Sequence, residues 1–454
     1  MIRPKRPDRK IYIRRFYIMA EAKKMNVVQL TIITAVNMMG SGIIMLPSKL
    51  AQVGGLSIVS WLVTAVGSTL LAYAFSKCGM YSKKAGGMGG YAEYSFGKSG
   101  NFMCGFTYGI SLVIANIAIA ISAVGYGSTF LNITLDPIST CIATIAVLWI
   151  TTLANFGGAS ITGRIGSVTI WGVIGPIFAI SICGWFFFSG DQYAANWNYN
   201  NLPLGEAAVN AITMTLWSFL GLESACANAD AVENPEKAVP MAVLIGTMGC
   251  AVVYIVSTNV MFGMLPATEL VKSNAPFGLA FATMWGGVAG KTVMGLMTLA
   301  CIGSLLGWQF TVANVFKGSA DVGYFPKVFT EVTSSGAPIK GMIILGIVQT
   351  LLALMTISPS LNEQFEQLTN LAVITNLVPY IMSMAAVYVI MKTAGKSGTS
   401  EMSKSMVAAV LGVIYSLYAC YASGFEAMTY GALVTFLGWP FYGFIADKFE
   451  MKKD

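Results

Sequence analysis

Glu223 is the residue whose setting demands chemistry. It lies inside the apolar stretch Leu216-Trp217-Ser218-Phe219-Leu220-Gly221-Leu222-Glu223-Ser224-Ala225. A carboxylate buried at such depth in a bilayer is costly unless it meets a partner, a proton or water. No Arg or Lys falls in the middle of an apolar stretch to neutralise it, and Arg164 belongs to a connector. A cationic ligand or a proton is therefore its natural partner. The alternative is a protonated glutamate bonded to backbone. Trp217 precedes Glu223 by six residues, and Trp308 ends Gly303-Ser304-Leu305-Leu306-Gly307-Trp308 in another apolar stretch. An indole face is the best aromatic surface for an ammonium group. Plain packing would explain either tryptophan alone; with Glu223 they describe an aromatic, acidic pocket for an amine. Trp61, Trp171 and Trp439 read instead as interfacial anchors.

The backbone offers the opposite chemistry. The stretch from Val27 to Leu50 is interrupted at Gly40-Ser41-Gly42-Ile43, and the stretch from Ala207 to Asp230 at Leu220-Gly221-Leu222-Glu223. Glycines let a helix open and free its N–H and C=O groups. In a membrane such groups are tolerated only where protein or a watery cavity satisfies them. Both clusters could instead be notches for close helix packing. As breaks, they place a substrate site at mid-membrane. The N–H groups at Gly40, Ser41 and Gly42, with a half-helix N-terminus behind them, suit a carboxylate. A site holding both halves fits a basic amino acid, and its acidic half alone fits a diamine. Ser111, Asn116, Thr369, Asn370 and Asn376 are mid-span polar residues that either line this site or bond a neighbouring helix.

The elements that must position these groups are membrane helices. Of 454 residues, 56% are hydrophobic and 10% charged, with a mean hydropathy of +0.69. That composition describes an integral membrane protein with no sizeable soluble domain. Apolar runs of roughly the 20 residues a span requires begin near Val27, Leu56, Phe102, Pro137, Gly163, Ala207, Val239, Lys291, Pro338, Leu368, Met406 and Met428. The expected fold is all-α with twelve transmembrane helices. Spans one to five (about residues 27–190) overlay spans six to ten (about 205–393), so the broken helices 1 and 6 coincide. Five being odd, the second repeat is inverted; helices 11 and 12 (about 406–446) lie outside it. The transporter domain is expected over 25–446, between a basic tail at 1–24 and a second tail at 447–454.

Connector charge alternates. One side carries the tail with Arg3, Lys5, Arg6, Arg9, Lys10, Arg14 and Arg15, then Lys77, Lys83, Lys84, Lys98, Arg164, Lys237, Lys317, Lys327, Lys340, Lys392, Lys396 and Lys404; the opposite connectors carry Lys272 and Lys291. Both termini are expected in the cytosol. The basic tail reads as a contact for anionic lipid rather than nucleic acid; with a start at Met19 it would be upstream sequence. It has no signal-peptide pattern. The Gly-rich connector 85–91 leads into an amphipathic stretch, Ala92-Glu93-Tyr94-Ser95-Phe96, suited to the membrane face or an inner gate. The eight cysteines show no metal-ligand spacing, and histidine is absent, which removes histidine relays and most zinc chemistry. No phosphate-binding G-x-x-x-x-G-K-[ST] loop occurs. No cofactor and no metal are expected.

These residues resemble the amino acid–polyamine–organocation transporters, in their basic amino acid/polyamine antiporter branch. The motifs are Met39-Gly40-Ser41-Gly42-Ile43-Ile44, Leu216 through Ala225, Glu233-Asn234-Pro235-Glu236-Lys237, Gly303 through Trp308, and Asp321-Val322-Gly323-Tyr324-Phe325-Pro326. The resemblance runs from about Met25 to the C-terminus. It implies exchange of putrescine for ornithine across a bacterial inner membrane, not enzymatic activity. Gly40, Ser41, Gly42 and Ile43 would line the carboxylate and amino end, Trp217 and Glu223 the distal amine, and Trp308 the other side. Cadaverine–lysine or agmatine–arginine exchange and proton-coupled import are the alternatives. One methylene is worth only about 1 kcal/mol, too little to separate the diamines from sequence. A homodimer, protons and membrane lipids complete the expected partners; nucleic acid is excluded.

Overall fold

The computed structural model describes residues 26–446 apart from 41, 85, 224–232 and 359. Both expected tails lie outside the described residues, as does Ser41. The described residues are helical, without strands, in the order α1 (Val27–Met39), α2 (Leu46–Leu50), α3 (Ser57–Tyr81), α4 (Met88–Leu131), α5 (Pro137–Ala154), α6 (Ala159–Thr169), α7 (Trp171–Cys183), α8 (Gly190–Ala195), α9 (Leu204–Trp217), α10 (Pro235–Met264), α11 (Ala267–Leu270), α12 (Pro276–Trp285), α13 (Gly287–Asp321), α14 (Ile339–Met355), α15 (Leu361–Thr393), α16 (Ser400–Ala422) and α17 (Gly424–Gly443). Among them, 8 helices are long and apolar enough to cross a membrane.

Helix starts follow local chemistry. Asn26 caps α1 by accepting from the Gln29 N–H while the Gln29 side chain accepts from the Asn26 N–H, satisfying donors that the first turn leaves open. Asn234 takes the left-handed conformation (φ 47) and Pro235 opens α10, which accounts for the Glu-Asn-Pro-Glu-Lys spacing. Helix α4 runs 44 residues, with Gly97 non-helical at φ 64. A single span needs about 20 residues, so the kink divides an amphipathic arm, 88–96, from the membrane-crossing part.

Lipid, not water, shapes the outer surface. On α16, Val407, Val410, Leu411, Ile414, Leu417 and Tyr421 form an exposed apolar ridge at helical spacing. The opposite face buries Ser405, Ala408, Ala409, Gly412, Ser416 and Ala419. Met402 and Tyr415 are buried on that face as well, but most of its residues are small, as close helix packing in lipid favours. Trp171 and Trp439 are exposed. Trp61 corrects the interfacial expectation: it is fully buried, packed on Phe219 at 6.3 Å and Tyr254 at 5.7 Å between ring centroids.

Helices α4 and α15 share the largest interface. They are tied where Ser111 Oγ donates to the Ala372 carbonyl at 2.9 Å. The loop before α9 is pinned by Asn196, whose Nδ2 donates to the Phe262 and Leu265 carbonyls, each at 2.7 Å. Gly54 meets the same loop at φ +73, with no room for a Cβ against the Asn196 carbonyl.

Candidate functional site

The two glycine-broken segments cross at the centre of the bundle. Helix α1 ends at Met39, and the chain turns before α2 restarts with Pro47 in its first turn. Helix α9 ends at Trp217. Beyond it the N–H groups of Ser218, Phe219 and Leu220 bond the carbonyls of Thr215, Leu216 and Trp217 in tight i to i−3 turns. Gly221 then takes φ +105, and a Cβ there would sit 3.1 Å from the Asn37 carbonyl oxygen and 3.4 Å from Trp308 Cζ2. Only glycine adopts that conformation cheaply, so this residue lets the second break press against the first.

The breaks touch directly. Ser218 Oγ donates to the Gly42 carbonyl at 3.2 Å, and Tyr254 donates to the Ser218 carbonyl at 3.2 Å. Tyr126 holds the other side of the first break, donating to the Ile44 carbonyl at 2.9 Å. A Cβ on Gly42 would lie 3.0 Å from both Ser218 Cα and the Met38 carbonyl oxygen.

Glu223 is 5% exposed. Tyr108 Oη donates to its Oε1 at 3.0 Å, the Gly221 N–H donates to its Oε2 at 3.0 Å, and Tyr380 Oη bonds the same Oε2. No lysine or arginine among the described residues pairs with it. Hydrogen bonds to a carboxylate are stronger than neutral ones, about 1.5–3 kcal/mol each, and they offset the cost of burial without supplying a positive charge.

A cavity of about 40 Å³ joins Glu223 to Gly42, Ser111, Trp217 and Trp308, with Asn37 and Asn376 also on its wall. Thus Gly42, Ser111, Trp217, Glu223, Trp308 and Asn376, all singled out in the sequence, share one space. Gly40 stands beside it, packed on Ser304 Oγ, and Ile43 is fully buried. Asn116 is fully buried on α4, where neither side-chain polar atom has a partner; it is not on the cavity wall. Asn370 lines a separate cavity of about 410 Å³. Tyr108 and Tyr380 are what the residue-type reading missed. Tyr108 lies one turn before Ser111, and Tyr380 one turn after Asn376, so helical spacing from those two polar residues was the available signal.

At the other end of α4, the arm 88–96 carries its own charge cluster. Glu93 meets Lys84 at 3.0 Å, Lys98 at 2.9 Å and Asn101 Nδ2 at 2.7 Å. Partial burial pushes its carboxyl upward, but the hydrogen bonds from Asn101, Lys98 and Lys84 prevail and hold it down at about 2. Ser95 Oγ donates to the Ala385 carbonyl at 3.3 Å, docking this arm on α15.

The family model for amino acid permeases matches residues 25–440. The chain is 62% identical over 434 residues to the putrescine transporter PotE of Haemophilus influenzae, covering 96% of this chain and 100% of that protein. It is 61% identical over 433 residues to the putrescine transporter PotE of Escherichia coli K12, covering 95% and 98%. It is 34% identical over 414 residues to the Escherichia coli K12 cadaverine/lysine antiporter, covering 90% and 92%.

Proposed function

The chain belongs to the amino acid permease family, and from that premise we propose that it exchanges putrescine for ornithine across a bacterial inner membrane by alternating access. It is a transporter, not an enzyme. The observation that carries the substrate reading is Glu223: a buried carboxylate with hydrogen-bond donors but, among the described residues, no cationic side chain, sharing a cavity with Trp217 and Trp308. An ammonium group supplies the missing charge and meets both indole faces. On this reading ornithine carries its carboxylate to the first break, where backbone N–H groups at Gly40, Gly42 and Ile43 would meet it; Ser41, expected beside them, lies outside the described residues, and putrescine leaves that end unfilled. Ser111 supports the wall between the two ends, and Asn116 and Asn370 tune the neighbouring polar surface.

The architecture we assign is twelve spans in a five-plus-five inverted repeat, with α1–α2 and α9 through Glu223 as the equivalent broken helices, inside a transporter domain at 25–446. The basic connectors support cytosolic termini. A cavity of about 40 Å³ is far below the several hundred Å³ of an open ligand site, so the walls must part on one side at a time. The Trp217–Phe365 contact, 6.4 Å between centroids at 90°, and the Tyr108–Glu223–Tyr380 bonds are contacts that such movement remakes. Cadaverine–lysine exchange is the second reading, favoured by the 34% identical antiporter. Proton-coupled uptake, lipid contacts of the basic tail and a homodimer remain part of the proposal.

Counterflow decides between these readings. Liposomes loaded with ornithine take up labelled putrescine faster than empty ones, and faster than liposomes loaded with lysine. Equal uptake into empty liposomes, without a pH gradient or voltage, excludes obligate exchange.

A further inference from the structure

Beyond the central site lies a second place built for an amine. Lys49, near the end of α2, meets Glu366 on α15 at 2.9 Å; the lysine side chain is 4% exposed and the glutamate 41%. Glu366 therefore keeps a face open to the cavity of about 410 Å³ that it lines with Lys49, Gln52, Asn200, Asn210 and Asn370. A further cavity of about 830 Å³ reaches the same pair from the other side, past Glu363 and Lys272. Among the described residues Glu366 Oε1 takes no hydrogen bond. One turn along α15, Asn370 Oδ1 is buried without a partner. The two residues are separated by about 6 Å along the helix, and both line the cavity.

A lysine side chain is a primary ammonium on a four-carbon stem. It is a four-carbon diamine with one amine removed, so its charged end matches either end of that diamine. Lys49 thus occupies Glu366 as an internal copy of the cargo's charged end. Position links this pair to the central site. Phe365, next to Glu366, stacks edge to face on Trp217, which walls the central cavity, and Met214, one turn before Trp217 on α9, lines the outer one.

We propose that this vestibule is a second, weaker subsite for a primary alkylammonium, where the diamine's ammonium replaces Lys49 on Glu366 before the cargo passes Trp217. The second ammonium of a four-carbon chain then meets Asn370 Oδ1. This rests on the putrescine-exchange reading, and the topology above puts the vestibule outside.

The test uses the full chain in liposomes, with putrescine KM measured at each membrane face. Labelling of Asn200→Cys by an impermeant thiol reagent, above the wild-type background, tells which face bears the vestibule. Lys49→Met removes the competitor and lowers KM at that face by about threefold, the scale of a partly exposed ion pair. Glu366→Gln raises it by about as much. Because Glu366→Gln leaves Lys49 buried and unpaired, the Lys49→Met/Glu366→Gln double variant checks folding and also raises KM there. KM at the opposite face stays unchanged throughout. A Lys49→Met that raises KM as Glu366→Gln does, or shifts that appear equally at both faces, reduces the pair to a structural strut and overturns the subsite. Wild-type liposomes without putrescine counterflow would instead defeat the exchange reading itself.

Discussion

Ser218 donates to the carbonyl oxygen of Gly42 at 3.2 Å, joining the two helix breaks through one hydrogen bond. The bond is possible because Gly42 has no Cβ, which would lie 3.0 Å from Ser218 Cα. Two segments far apart in sequence thereby form one surface, with a carboxylate on one and turn backbone on the other.

Enlarging this contact is the first test. Gly42→Ala forces the breaks apart, at a cost of about 1–3 kcal/mol. In the proposed site the carboxylate end lies here, so ornithine binding is expected to weaken more than putrescine binding. Equilibrium binding, measured apart from flux, distinguishes this from a jammed transport cycle. Normal ornithine binding with weakened putrescine binding places the carboxylate at the other end of the cavity.

Glu223→Gln keeps the shape and removes the charge. The putrescine affinity of the folded variant falls by about 2–5 kcal/mol, as when one partner of a desolvated pair is lost. Full affinity in a folded variant returns Glu223 to a structural role.

Tyr380→Phe removes one of the donors that hold Glu223. The empty transporter loses about 1.5–3 kcal/mol of stability, read as a lower Tm in detergent. Putrescine raises the Tm of Tyr380→Phe more than that of the wild type, because the ammonium takes the position that the hydroxyl vacates. A smaller putrescine shift in the variant means that the tyrosine contacts the cargo rather than standing in for it.

Trp308→Leu weakens both substrates together. In the proposed site each substrate presents an ammonium to the indole face, and a cation–π contact is worth about 0.5–2 kcal/mol. Damage confined to one substrate removes Trp308 from the shared, amine-facing end.

The Glu93 cluster gives a pH dependence with a defined sign. Its carboxyl is held at about 2 in the folded protein against an ordinary value of 4.5. The folded value is depressed, so the cluster stabilises fully above about pH 4.5 and its contribution fades as pH falls from there through 2. The Tm difference between wild type and Glu93→Gln is therefore equal at pH 7 and pH 6 and shrinks toward pH 3. A difference that changes between pH 7 and pH 6 assigns the titration to another group.

The sequence by itself determined the solvent, the elements and the charge problem. Long apolar runs can only be membrane helices, because lipid leaves the backbone no other partner, and the helices begin close to where those runs do, as at Val27 and Pro137. Residue type also marked Glu223, Trp217, Trp308 and Gly42, because an acid, two indoles and a glycine turn are each out of place in an ordinary span. Tertiary structure decided which of the polar residues share a cavity. Asn370 and Ser111 look alike as mid-span polar residues, yet one lines a separate cavity and the other the central one, since helix rotation follows from packing between α4 and α15. Trp61 reads as interfacial in sequence and is buried against Phe219 and Tyr254. Tyr108 and Tyr380 are marked in the sequence only by their helical spacing from Ser111 and Asn376. They reach Glu223 only because α4, α15 and the turn after α9 converge, a relationship of three segments that no single stretch of chain encodes.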